Sequence, residues 1–456
     1  MTRNLRRELS SFEVCLLTLS NASPLFNIFI VGGDVLQQVG TASAGAFLIG
    51  LAATVVWVIV YAELASAYPY AGGDYVAVGA ILGPWAGFAT LAIGLATLAP
   101  AIALEGKFIA QYVGDFTSPS VPNAVAIVTV LAAMSIAMLT TRTSAVVTGV
   151  CLLIEMLTVV LLTARGVDHP ARSLGSVLMH PLGPDSAGGL SVVPGATIAL
   201  GCVNAIYATL GGNGAIFFGE ELKQPHRNMG RVVWLSGLIG AVAIAVPVIA
   251  VVLSADDLVT VLHSATPFNA FLSSFASPTL SRAVGACVAL ALFNAMIAGI
   301  MVSARLLLSI GRDGIFPPYI SRPLVGLHQG SGAPRAATLV VCVVSGAFCL
   351  APKHLLVVFV QAPIAYSFSL VCIAVIIGRI QGKTGQTGYW RSPVFPLIPV
   401  LGLCLAISFW VVDFLDPEAG RPSILIITAV VGSAILWYYF VLRRRPSGWR
   451  PRLGPY

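Results

Sequence analysis

Twelve apolar runs separated by short polar breaks fill most of this 456-residue chain: 14–38, 42–67, 84–113, 121–140, 144–164, 195–219, 231–253, 283–311, 336–351, 355–379, 394–415 and 423–442. About 20 apolar residues carry an α-helix across a bilayer, whose interior offers no water to pair with backbone groups. The ninth run is short and the first is interrupted, so the expected count is about twelve. Charged residues make up 9% of the chain, against about 25% in soluble domains. So few charges cannot cover a water-facing surface, and the fold class expected is an all-α integral membrane protein. The start MTRNLRRE is basic. The apolar stretch behind it is too long for a cleaved signal and has no small-residue cleavage site. The first span is expected to be both insertion signal and structure.

An even number of spans puts both termini on one side. With that side cytoplasmic, 19 of the 25 Lys and Arg fall in cytoplasmic segments, among them Arg3, Arg142, Arg305, Arg312, Arg379 and the tail arginines, and 5 in outer segments. This bias predicts a multi-pass protein of the plasma (inner) membrane with both termini cytoplasmic. The formal charge of +7 then reads as topology and attraction to membrane lipids. Its scatter over short loops argues against nucleic acid. Residues 1–12 form a cytoplasmic N-terminus. The tail 443–456 is expected to be solvated and anchored at the headgroups. Outer loops near 166–194 and 254–280 have room for short surface helices. The eight cysteines lie in apolar runs without CxxC spacing, and the six histidines share no ligand spacing. No metal or cofactor is expected.

Two spans are interrupted. The first holds SNASP, with Asn21, Ala22, Ser23 and Pro24; the sixth holds LGGNG, with Leu210, Gly211, Gly212, Asn213 and Gly214. Pro24 cannot close a helical hydrogen bond, and each glycine costs roughly 1 kcal/mol relative to Ala within a helix. Irregular backbone at membrane depth survives only beside protein or a water-filled cavity. Paired breaks five spans apart are the mark of an inverted-repeat transporter that binds its substrate at the breaks. N–H groups opening a half-helix suit a carboxylate and carbonyls closing one suit an ammonium, so a small zwitterion or amine fits. Thr97 of the third span lies at a similar depth and is a further candidate contact.

Intramembrane ionisable residues are candidates for coupling or gating. Glu105 can bind a substrate amine, carry a proton, or be a vestibule charge. Two positions from Lys107, it does not share that residue's helix face. Glu155, central in the fifth span, suits proton coupling or a structural hydrogen bond. Glu220 and Glu221 can join Lys223, His226 and Arg227 in an inner-gate network or be solvated. Arg305 can latch the gate or snorkel to the surface. Asn294 is the one polar side chain midway along the eighth span, and the lack of Ser or Thr there weighs against sodium.

Three stretches carry a family resemblance. YAELASAYPYAGGDYVAVGAILGPWAGF (61–88) resembles the signature that follows the second span of the amino acid–polyamine–organocation permeases, through Glu63, Pro69, Gly72, Gly73, Tyr75, Gly83, Gly87 and Phe88. FFGEELKQPHRNMGRVV (217–233) resembles the segment after their sixth span, through Glu220, Glu221, Pro225 and Arg227. SARLLLSIGRDGIFP (303–317) resembles the end of their eighth, through Ser303, Arg305, Arg312, Asp313, Gly314 and Pro317. The resemblance implies a LeuT-like 5+5 inverted repeat with discontinuous helices 1 and 6. Its first repeat would be 13–165, its second 195–382, and helices 11 and 12 would lie in 383–442. It implies a secondary active permease, not an enzyme, for an amino acid or small amine, and the residues of spans five and eight leave proton-coupled symport or exchange as its expected coupling. A polyamine or organocation carrier, or a transporter-like sensor without flux, are the alternatives. Where many relatives place an aromatic and then an acid after the first glycine of span six, this chain has Gly212 and Asn213. The pocket is then roomier, or closed by Tyr207 or Phe217.

Overall fold

The computed structural model describes residues 5–114, 121–185, 187–445 and 448–454. Arg3, and with it the start of the segment 1–12 and parts of the tail 443–456, lies outside the described residues. The apolar runs are mostly helical, since a helix closes its own backbone hydrogen bonds, and the first and sixth are interrupted. In chain order the first elements are α1 (Ser11–Ala22), α2 (Pro24–Phe26), a π-helical turn (Asn27–Gly32), α3 (Gly33–Val39), α4 (Ser43–Ala67), α5 (Asp74–Leu82), α6 (Pro84–Gly114), α7 (Pro122–Ala137) and α8 (Thr141–Asp168). Next come α9 (Leu174–Met179), the strands β1 (Leu182–Pro184) and β2 (Leu190–Val192), α10 (Gly195–Thr209), a 3₁₀ turn (Asn213–Phe218) and α11 (Pro225–Ser254). The remainder are α12 (Leu258–His263), α13 (Pro267–Ser273), α14 (Pro278–Asp313), α15 (Pro318–Val325), α16 (Arg335–Phe348), α17 (Lys353–Val360), α18 (Pro363–Ile380), α19 (Leu397–Leu415) and α20 (Gly420–Trp437).

Nine helical stretches among the described residues are long and apolar enough to cross a membrane. The first, Ser11–Ala67, contains two of the expected spans, and Pro122–Ala137 and Arg335–Phe348 are shorter apolar helices. The protein is therefore an all-α, multi-pass membrane protein. α4 lies at its centre, packed most extensively on α11 and α10. Outward residues of the peripheral helices, such as Leu153, Leu157 and Val160 on α8 and Leu425 and Leu436 on α20, are apolar and exposed. An apolar belt of this kind is what lipid covers.

The loops differ from expectation in three places. After the reversal at 69–73 the chain forms the nine-residue helix α5 before α6 begins. In the 166–194 loop the expected short helix, α9, is joined by an antiparallel hairpin pairing Gly183 with Ser191, whereas 254–280 holds short helices as expected, α12 and α13. The tail is not a solvated anchor: Trp449 is buried against Phe88 and Tyr438. Arg445 donates to the Gly314 and Ile315 carbonyls at 2.8 and 2.9 Å. Leu5 packs on Ala71 and Leu308, and Trp449 on the neighbouring Tyr75 and Leu306. Both ends of the described chain thus meet one end of the bundle, the terminal face.

That face is tied by buried charges. Glu63, within α4 and fully buried, pairs with Arg379 at the end of α18. It also accepts from the Thr384 hydroxyl at 2.9 Å and the Ser392 N–H at 2.8 Å. Removing one partner of a buried pair strands the other charge, at a cost of about 3–5 kcal/mol. Arg379→Met should therefore lower the thermal midpoint in detergent markedly. Glu8→Ala, which loses only an exposed pair with Arg6, should leave it within error.

Candidate functional site

The break in the first span begins with an ordinary helix start. Ser10 and Glu13 form a reciprocal capping box, Ser10 N–H to Glu13 Oε2 at 2.7 Å and Glu13 N–H to Ser10 Oγ at 3.3 Å. α1 ends at Ala22 because Ser23 turns left-handed, φ 41°, and Pro24 opens the next helix from its first position. The orphaned backbone groups find partners. The Ser23 N–H donates to the Leu19 carbonyl at 3.0 Å. Asn27 Nδ2 donates to the Ala22 carbonyl at 2.6 Å and the Ser23 carbonyl at 3.3 Å. Glu155 of α8, 1% exposed, accepts the Leu25 N–H at 2.8 Å through Oε1.

The break in the sixth span has a different cause. α10 stops at Thr209, Leu210 is extended, and Gly212 takes φ 87°. A Cβ on Gly212 would lie 2.7 Å from the Val233 carbonyl oxygen, so the position excludes other residues both by its φ and by its neighbour. The chain resumes as the 3₁₀ turn. Among the described residues the N–H groups of Gly211 and Gly212 have no hydrogen-bond partner.

The two breaks face one another. A Cβ built on Gly214 would stand 3.3 Å from Asn21 Nδ2, and one on Gly211 3.5 Å from the Ala22 Cβ. Between them lies a cavity of about 970 Å³, counting its mouth. Asn21, Ala22, Tyr207, Leu210, Gly211, Gly212, Asn213 and Glu105 line it. Glu105 Oε2 is buried there without a partner, while Lys107 donates instead to Asn123 Oδ1 at 2.6 Å.

Three expected contacts do not line the cavity. Ser23 turns its hydroxyl to the Ala291 carbonyl at 3.4 Å. Pro24 is buried at the helix start. Thr97 spends its hydroxyl on the Ile93 carbonyl at 2.8 Å, and its neighbour Leu98 lines the wall. Tyr207 borders the cavity, whereas Phe217 lies under Gly73. Asn27 and Gly299 also line it and were not anticipated. The spacing of Asn27 from Ser23, one helical turn, was the available sign. Gly299 carried none, because only the fold brings α14 alongside.

Glu220 and Glu221 do not pair with Lys223, His226 or Arg227. Glu221 meets Arg305 Nε at 2.6 Å and Glu220 meets Arg312 Nη1 at 2.6 Å, both arginines on α14. Arg305 does not snorkel. It is 2% exposed, donates to the Met301 carbonyl and to Thr141 Oγ1, and lies 4.4 Å from the Phe218 ring centroid. His226 meets the Ser66 carbonyl at 2.9 Å and stacks on Tyr389.

Residues 9–438 match the amino acid permease family. Over 203 residues the chain is 29% identical to a branched-chain amino acid permease of Lactococcus lactis subsp. cremoris (strain MG1363), a match covering 42% of this chain and 41% of that protein. It is 24% identical over 455 residues to the Asc-type amino acid transporter 1 of Mus musculus, covering 93% and 80%. It is 25% identical over 348 residues to the cationic amino acid transporter 9, chloroplastic, of Arabidopsis thaliana, covering 70% and 58%.

Gly211 and Gly212 of the sixth-span break should respond differently to a methyl group. Gly212→Ala forces a Cβ onto a positive φ and should destabilise by more than about 1 kcal/mol. Gly211→Ala makes an ordinary contact and should leave the thermal midpoint close to that of the parent. Fluorescence-detected size-exclusion after a heat ramp compares them.

Proposed function

The chain belongs to the amino acid permease family, a family of transporters and not of enzymes, and from that membership we propose that it carries an amino acid or related small amine by alternating access as a secondary active transporter. The observation that carries this reading is the cavity between two facing breaks. The architecture proposed is LeuT-like: twelve spans, inverted repeats at 13–165 and 195–382, and two further helices in 383–442. It would lie in the plasma (inner) membrane with both termini cytoplasmic, so that the terminal face is the inner one.

Within the cavity, the unpartnered N–H groups of Gly211 and Gly212 would take the substrate carboxylate. The side chains of Asn21 and Asn213 would add hydrogen bonds. The start of the second half of span one is less available than its sequence suggests, since Glu155 already accepts the Leu25 N–H. Glu105 would face the substrate's ammonium. Its unshared carboxyl oxygen also favours a substrate carrying an extra positive charge, the polyamine or organocation alternative. Glu220, Glu221, Arg305 and Arg312 would close the inner gate, because their pairs join the segment after the sixth-span break to α14.

Glu155 would couple transport to protons. As a carboxylate it accepts the Leu25 N–H and holds the resumed helix against α8. Protonation weakens that acceptor and frees the half-helix to move. Exchange of one amine for another is the alternative coupling.

Uptake of a labelled amino-acid and amine panel into proteoliposomes, with and without a pH gradient or sodium, tests the proposal. Asn21→Leu combined with Asn213→Leu should leave the protein monodisperse and abolish uptake; full activity in that double variant would discard the site. Glu155→Gln should retain substrate-induced thermal stabilisation and lose the response to a pH gradient. Binding without flux of any solute would instead point to a sensor.

A further inference from the structure

A second cleft, separate from the cavity between the breaks, opens at the terminal face between the end of α14, α15 and the returning tail; it encloses about 2220 Å³ including open solvent. Four arginines from three segments line it: Arg312 in the last turn of α14, Arg322 on α15, and Arg445 and Arg452 in the tail. Glu220 and Asp313 line it too, but both are engaged. Glu220 accepts from Arg312 Nη1 and the Ala71 N–H. Asp313 accepts the Arg452 N–H at 2.9 Å and the Tyr75 hydroxyl at 2.8 Å.

The positive charge is less well matched. Arg445 is held by two neutral carbonyls, which orient it without cancelling its charge. The guanidinium groups of Arg322 and Arg452 donate no hydrogen bond among the described residues. Arg312 Nη2 is buried with no partner. Four guanidinium groups thus share one concavity with two carboxylates, and several N–H donors are unspent.

We propose that this cleft binds a phosphate-bearing anion. A guanidinium presents planar paired donors that fit phosphate oxygens two at a time, and arginines arriving from different segments can share the several oxygens of one phosphate. Its charge, between about −1.5 and −2 at neutral pH for a monoester, balances the excess of two. The surroundings give such a group two ways in. α15 exposes Tyr319 and Ile320 beside Arg322, and Phe316 is exposed just before it. A short helix with aromatic and basic residues side by side suits headgroup depth, so a lipid phosphate can enter from the membrane. The open mouth admits a soluble phosphate from water. The transport reading is not required, because the two cavities share no lining residue.

The test uses the purified full chain and the double variant Arg322→Gln with Arg452→Gln. Neither side chain makes a hydrogen bond among the described residues, so the thermal midpoint of the variant should match the parent and serves as the folding control. One arm titrates inorganic phosphate by calorimetry at low salt. The other incorporates the protein in phosphatidylcholine nanodiscs doped with phosphatidylglycerol and records retained lipid by native mass spectrometry. Binding in either arm that weakens at least about tenfold in the variant supports the site, and the arm in which it occurs identifies the source. Binding in neither arm, or equal binding by parent and variant, overturns it.

Discussion

Backbone hydrogen bonding in a medium without water governs this molecule. A helix settles the account internally, and any departure must find partners nearby. The two broken spans do so in different ways. In the first, side chains supply the missing partners: Asn27 caps the last carbonyls of α1, and Glu155 receives a leading N–H of the resumed helix. In the sixth, glycine allows the turn and two N–H groups are left without partners among the described residues. The first break is therefore closed by the protein itself, and the second leaves backbone donors open beside the cavity.

The same economy explains the charges at the terminal face. Glu63, Glu221 and Arg305 are nearly inaccessible to solvent, and each pair links segments far apart in the chain. A buried ion pair gains little over two hydrated ions, but separating it without water is expensive. Such contacts are firm while the face is dry and yield at moderate cost once water enters between the partners. The aromatic ring of Phe218 beneath Arg305 adds a cation–π contact that is strongest while the site is dry.

Much of this was legible in the order of residues. The apolar runs mark the helices because lipid imposes one periodicity-independent demand, length. SNASP and LGGNG mark the breaks because proline and glycine act locally. Glu63 was readable as part of the motif after the second span, whereas its partner Arg379 depended on the fold. Partner choice was less accessible. The nearest cations to Glu220 and Glu221 in sequence are Lys223, His226 and Arg227, but α14 delivers Arg305 and Arg312 instead. Thr97 had the right depth and the wrong bond, since a helical threonine readily turns to the carbonyl one turn back. The hairpin, α5 and the folded-back tail rest on tertiary contacts that no short window contains.

The π-helical turn Asn27–Gly32 contains the slack of one residue, as such turns do where they interrupt an α-helix. Deleting one residue would remove the bulge and leave the far half in place, whereas rewinding the same residues as a regular α-helix would rotate everything up to Val39 by about 100°. Gln37 would swing away from the Ser264 carbonyl and Gln38 from Asn204, contacts now made at 2.5 and 3.2 Å. The azimuth of the far half of this span is thus held by the winding of a single turn, and a relative one residue shorter here keeps the same facing side chains with a continuous α-helix.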